Sequence, residues 1–252
     1  MIIQYCSDLH LEFPENKEFI KDCPIEPIGE ILILAGDVIP FALIDKHKDF
    51  FKYCSDNFDK TYWLPGNHEY YHFDLAKKCG ALNESIRKNV FLVNDLAIDI
   101  QQTRFLFSTL WSKINVANEW TIENSLNDFR LIKYDGFRFT TQQYNQLYAA
   151  SFDFIKANLS TEKFDKTVVV THHVPTLKNY PEQYINSNIN EAFAVELHDF
   201  IETSNIDYWI YGHHHANTAD FKIGNTNLLT NQLGYVRHGE HRNYKNGKIF
   251  EV

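Results

Sequence analysis

Cysteine is scarce. The four present, Cys6, Cys23, Cys54 and Cys79, form no CxxC pair and no zinc-finger spacing. All lie in the first third of the chain and read as reduced, partly buried thiols rather than a disulfide framework. No apolar run reaches the roughly 18 residues that a membrane-spanning helix needs. A secretory leader is not expected either: the apolar start Met1–Cys6 is short, and Ser7, Asp8 and His10 follow at once. The expectation is a cytoplasmic protein. There is no Pro-, Gly- or Ser-rich linker, no internal repeat and no long charge run, so residues 1–252 are expected to form a single domain. Basic residues are in the minority, with 24 Lys and Arg against 33 Asp and Glu, a net charge of −9. Such a chain is a poor candidate for non-specific binding to nucleic acid or to an anionic membrane.

A sizeable core is available, since 44% of the residues are apolar. Short runs rich in β-branched and aromatic residues read as buried strands: Ile2–Tyr5, Ile31–Ala35, Phe105–Phe107, Val168–Val170 and Tyr208–Tyr211. Apolar spacings of three and four predict helices over Phe41–Asn57, Asp74–Lys88, Thr141–Asn158 and Asn190–Thr203. Thr140 or Thr141 is placed to cap the third. Gly224-Asn225 predicts a hairpin turn between Thr218–Ile223 and Asn227–Asn231, and Leu92–Ile100 with Thr103–Phe107 forms another possible strand pair. Alternating strands and helices give an α/β class, a layered β-core flanked by helices with some antiparallel edges.

Twelve histidines are the most informative feature, because eight sit in four short motifs. Five expected strands each end on Asp, Asn or His: Ser7-Asp8-Leu9-His10, Gly36-Asp37, Pro65-Gly66-Asn67-His68-Glu69, Thr171-His172-His173 and Gly212-His213-His214-His215. That sheet edge is where α/β proteins gather ligands. Carboxylates and imidazoles without thiolates suit a centre of divalent ions such as Mn, Fe, Zn or Ni. In extended backbone, residues two apart share a side, so Asp8 with His10, and His213 with His215, are expected to reach one ion together. Glycines before Asp37, Asn67 and His213 are expected to permit sharp turns.

Asp-x-His, Gly-Asp, Gly-Asn-His-Glu, Thr-His-His and Gly-His-x-His, in this order from Asp8 to His215, resemble the calcineurin-like metallophosphoesterases. The resemblance implies a four-layer αββα sandwich of two mixed β-sheets flanked by helices. It implies that Asp8, His10 and His215 hold one metal, that Asn67, His172 and His213 hold a second, and that Asp37 bridges both. His68 would then be no ligand but the acid that protonates the leaving group, with a hydroxide between the metals attacking in line. His173 and His214 read as residues that do not touch the metals.

Thr109-Leu110-Trp111 and Asn127-Asp128-Phe129-Arg130 are similar to segments of a prokaryotic branch of the superfamily. Trp111 is a candidate to stack on a leaving group, Arg130 to pair with phosphate, and His72 to line the pocket. The plainer alternatives are a partly buried tryptophan, a structural salt bridge and the start of a helix. Asn190–Phe193 and Asn231–Tyr235 echo the same branch without an assigned chemical role. Departures narrow the function. Gly36-Asp37-Val38-Ile39-Pro40-Phe41 lacks the Asp, Arg and Gly that continue this motif in the protein phosphatases. His68 stands where the lipid-precursor hydrolases have Arg. The 37 residues after His215 leave little room for the capping segments of the DNA-repair nucleases. The expected activity is hydrolysis of a phosphomonoester or phosphodiester of a small molecule. A nuclease of the same fold and a non-catalytic scaffold are the alternatives.

Overall fold

The computed structural model describes residues 1–159 and 164–252. The first half of the chain holds β1 (Ile2–Cys6), α1 (Pro14–Asp22), β2 (Ile31–Ala35), α2 (Lys48–Asn57), β3 (Lys60–Leu64), β4 (Leu82–Arg87), β5 (Val90–Asn94), β6 (Leu96–Ile100) and β7 (Thr103–Ser108). It continues with α3 (Glu119–Ser125), α4 (Asp128–Leu131), β8 (Lys133–Tyr134), β9 (Phe137–Arg138) and α5 (Thr141–Asn158). Then come β10 (Lys166–Thr171), α6 (His198–Thr203), β11 (Tyr208–Tyr211), β12 (Phe221–Ile223), β13 (Thr226–Thr230) and β14 (Ile249–Glu251).

Two six-stranded sheets result, in the orders β14-β1-β2-β3-β5-β4 and β12-β13-β11-β10-β7-β6. Each has four parallel strands in the middle and one antiparallel strand at either edge. The sheets face one another through Ile3, Ile33, Leu64, Phe105, Val170 and Ile210. Leu32, Leu34 and Trp63 on the other face of the first sheet pack with Ile20 of α1 and Phe51 of α2. Val169 and Trp209 of the second pack with Ile155 of α5 and Ile201 of α6. Both faces of each central strand are therefore buried, which is why these strands read as unbroken apolar runs. The αββα layering is the expected one. No helix among the described residues is long and apolar enough to cross a membrane.

Helix α5 matches its expected span, and a capping box joins Thr140 to Gln143 at its start. The other three expected helices differ. Phe41–Asn57 divides at His47 into a 3-10 stretch and α2. Asn190–Thr203 keeps a 3-10 turn at Asn190–Ala192 and α6, but Ala194 between them is drawn into a parallel bridge with Val174. Asp74–Lys88 is mostly no helix. It is a 3-10 turn at Leu75–Lys77 and then β4, paired antiparallel to β5. The four-residue spacing of Leu82 and Ile86 fits both periods, and pairing with β5 decides. Leu92–Ile100 is not one strand either. It breaks at Asp95 (φ 41°), and β5 and β6 belong to different sheets.

Candidate metal centre

Five loops meet at one end of the sandwich. Those after β1, β2 and β3 come from the first sheet and those after β10 and β11 from the second, all at C-terminal ends of parallel strands. Their backbone is not extended. Asp8 (φ 57°), His10 (48°), Asp37 (54°), His213 (83°) and His215 (52°) are all left-handed. Asp8 and His10 do share a site, but through a turned backbone rather than the expected extended one; His213 and His215, expected to reach one ion together, fall instead into different ligand groups. Such a conformation costs about 1–2 kcal/mol per non-glycine residue and is held by neighbours. Asp8 N–H donates to Gly36 O (2.9 Å), His10 N–H to Asp37 O (2.9 Å) and His213 N–H to Asp8 Oδ1 (3.0 Å). Gly36 (φ 92°) supplies the expected sharp turn. Gly66 and Gly212 serve close approach instead. A Cβ on Gly66 would lie 2.3 Å from Asp37 Oδ1, and one on Gly212 would lie 2.6 Å from Asp8 Oδ2.

Asp8, His10, Asp37 and His215 bring one ligand atom each within 4.8 Å of one another, and Asp37, His172 and His213 do the same. Asn67 Oδ1 joins the second group, 3.3 Å from His172 Nε2. His10 Nε2 and His215 Nε2 are 2.9 Å apart, and His172 Nε2 and His213 Nδ1 are 3.1 Å apart. Ligands bound at about 2.1 Å to one ion lie about 3 Å from each other, so the spacing fits.

The tautomers fit as well. His10 Nδ1–H donates to Glu12 Oε1 (3.1 Å) and His215 Nδ1–H to Glu240 Oε2 (2.8 Å). His172 Nδ1–H donates to Ala35 O (2.9 Å) and His213 Nε2–H to Ala192 O (3.2 Å). Each ring gives its outer N–H to a fixed acceptor and turns its other nitrogen inward, the arrangement that orients metal-binding imidazoles. Two inward nitrogens at such distances need a metal ion or a proton between them. Asn67 is set in the same way: Nδ2 donates to Asp128 Oδ1 (2.9 Å), which leaves Oδ1 for the centre. Glu69 welds the loops. Its carboxylate accepts from Asp37 N (2.9 Å), Val38 N (2.7 Å), Gly66 N (2.6 Å) and Trp63 Nε1 (3.1 Å).

His68 belongs to neither group of expected ligands. Its Nδ1 lies 3.1 Å from Glu12 Oε1, its ring stacks on Tyr71 at 4.0 Å, and its Nε2 is 3.4 Å from the Tyr235 hydroxyl. Burial disfavours its charged form, but the Asp37, Glu12 and Asp128 carboxylates outweigh this and raise its pKa. Burial also opposes the Asp37 carboxylate, yet His172, His68 and His10 hold its pKa well below the usual range.

A cavity of about 340 Å³ opens over the centre, lined by Asp37, Asn67, His68, His213 and His215 among others. The three substrate-contact candidates are not part of it. Trp111 is buried against Tyr144 (5.1 Å) and His173 (5.3 Å), so it is a core residue and not a stacking platform. Arg130 points to solvent and donates to Asn124 O, and His72 is exposed. Asn127 and Asp128, not Arg130, are the residues of that segment that reach the cavity. Phe193, Asn190 and Tyr235 come from the two segments left without a role and line the cavity. His173 and His214 are buried outside both ligand groups, as expected. Glu12, Tyr71 and Glu240 were missed. Only Glu12 had a signal, two residues beyond His10; Tyr71 and Glu240 are placed by the fold.

Residues 1–217 match the calcineurin-like phosphoesterase family. Uncharacterized protein L509 of Acanthamoeba polyphaga mimivirus is 34% identical over 262 residues, spanning 93% of this chain and 91% of the viral protein. Among solved structures, phosphopantetheinyl hydrolase (PptH) from Mycobacterium tuberculosis superposes with a TM-score of 0.71 at 16% identity, over 99% of this chain and 95% of that one. A dimetal phosphatase from Danio rerio gives 0.45 at 13% identity, over 92% and 87%. The likeness to PptH shows the fold, and the sequence match over most of the chain shows the kinship. The chain belongs to the calcineurin-like phosphoesterase family and is a metal-dependent phosphoester hydrolase.

Proposed function

We propose that this protein hydrolyses a phosphate ester of a small molecule at a dinuclear centre, working as one domain over residues 1–252. The observation that carries this is the set of four imidazoles, each anchored by one ring nitrogen and turning the other inward on either side of Asp37. Asp8, His10 and His215 would hold one ion, Asn67, His172 and His213 the other, with Asp37 between them. Two divalent ions, when bound, supply a nucleophile from water near neutral pH and neutralise phosphate oxygens. The mixed nitrogen and oxygen donors suit Mn, Fe, Zn or Ni alike.

The chain's own part is positioning and proton transfer. Glu12 holds His68 Nδ1, which leaves Nε2 on the cavity side beside the Tyr235 hydroxyl. The surrounding carboxylates favour protonated His68, so Nε2–H can be given to the departing oxygen. No lysine or arginine lines the cavity among the described residues. A nucleic-acid backbone would find no counter-charge there, which supports a small substrate over a nuclease.

The test is hydrolysis of p-nitrophenyl phosphate and bis(p-nitrophenyl) phosphate by metal-depleted protein, with each divalent ion restored in turn. Turnover should require an ion, and metal analysis should find two per chain. Asp37→Asn should lower kcat by at least about 10²-fold. Turnover that persists without metal, or a chain that binds none, would overturn the reading.

A further inference from the structure

The walls of the cavity speak to what the phosphoryl group is attached to. Resting on the reading of the centre just given, we propose that the substrate carries a single phosphoryl group on a neutral, planar organic group with a hydrogen-bonding edge. Aromatic faces surround the centre. Phe193 stacks on His213 at 4.8 Å (26°), Tyr71 stacks on His68 at 4.0 Å (29°), and Tyr235 meets His215 edge-on at 4.5 Å. Tyr184 and Asn127 also line the cavity. The Tyr184 hydroxyl and the Asn127 carboxamide have no protein hydrogen-bond partner among the described residues. Aromatic faces that bound a cavity suit a flat ring, and unpaired neutral donors and acceptors suit its polar edge.

The charges exclude a second anionic group. The charged side chains of the lining, apart from imidazoles, are Asp37, Asp128 and Glu240. Asp37 is committed to the centre. Asp128 and Glu240 already accept hydrogen bonds from Asn67 and His215, and no lysine or arginine of the lining faces them. Arg237 lies 5.9 Å over the Tyr235 ring but outside the lining, with its Nε–H given to His238. A carboxylate, sulfonate or further phosphate on the substrate would therefore be desolvated against like charge. The one phosphoryl group is accounted for at the centre.

Non-hydrolysable phosphonates separate ring recognition from catalysis. Calorimetry on the full chain loaded with Mn should give 4-carbamoylbenzylphosphonate an affinity at least about tenfold above methylphosphonate and above 4-carboxybenzylphosphonate. Asn127→Lys, at an exposed position of the wall, should bring the carboxylate compound level with the carboxamide. Equal affinity of the first two compounds would overturn ring recognition. A carboxylate bound as tightly as the carboxamide would overturn the charge exclusion. In either case metal-dependent binding of methylphosphonate would leave the phosphoesterase reading standing. If no phosphonate binds the loaded chain, that reading falls and the proposal falls with it.

Discussion

One carboxylate oxygen, Glu12 Oε1, lies 3.1 Å from the Nδ1 atoms of both His10 and His68. Burial opposes its charge, but hydrogen bonds from these two rings hold its pKa down to about 2. The same group thus fixes an expected metal ligand and the expected acid. Glu12→Gln keeps an acceptor but removes the charge facing a protonated His68. For a simple alkyl phosphate, whose leaving oxygen needs a proton, kcat should fall by about 10²-fold. For p-nitrophenyl phosphate, whose leaving group departs unassisted, the loss should be several times smaller. Metal must be saturating, because loss of the His10 partner alone can weaken metal binding by about 10- to 100-fold. Equal losses for both esters would confine Glu12 to the metal and remove it from the acid. At this scale the sequence was most legible where chemistry demands particular atoms. Asp8, His10, Asp37, Asn67, His68, His172, His213 and His215 all converge on the site. It was least legible for Trp111, Arg130 and His72. An aromatic or a basic side chain near a motif carries no information about which way it faces.

At the scale of elements, local pattern succeeded where it agreed with the tertiary environment. The strands delivering the motifs are buried on both faces, and α5 has its own capping box. Pattern failed where pairing with another segment decided, as at β4, which forms a hairpin with β5, and at the Val174–Ala194 bridge. It also failed at Asp95, where the chain steps from one sheet to the other in a single left-handed residue. Asn94-Asp95 interrupts the stretch from Leu92 to Ile100, but nothing in it shows that the two halves pair with different partners. Asp95 Oδ1 accepts from Ser108 Oγ (2.6 Å) and Ser151 Oγ (3.4 Å), yet burial raises its pKa above the usual carboxylate value. A raised folded pKa means that the ionised group weakens the fold. The penalty is complete above the folded pKa and vanishes below the ordinary unfolded value near pH 4. Asp95→Asn keeps an acceptor for Ser108 and tolerates the left-handed backbone. It should raise Tm at pH 7, with the advantage over the parent closing as the pH falls through the carboxylate range. An advantage that stays constant with pH would show that the Asp95 charge is not its source.

For the whole molecule, the centre is also a seam. Asp8, His10, Asp37 and Asn67 hang from the first sheet, and His172, His213 and His215 from the second. Each ligand group draws on both sheets: His215 joins Asp8, His10 and Asp37, while Asp37 joins His172 and His213. Away from this end the sheets are held by side-chain packing through Ile3, Ile33, Phe105 and Val170. Here they meet through polar groups and left-handed backbone, neither of which favours folding by itself. Ions bound there would bind the native chain and not the unfolded one. At a thousandfold excess over Kd, one ion contributes about 4 kcal/mol, or about 10 °C in Tm for a chain of this size. Chelation should lower Tm by at least that much. It should also speed hydrogen exchange at the amides of Asp8, His10 and His213, whose hydrogen bonds span the loops. The β12–β13 and β14–β1 edges should keep their protection, because their ladders do not depend on the centre. If protection fell evenly across both sheets, the ions would be stabilising the whole core and not joining two sheets at one end. If Tm did not move, the sheets would be held together without them.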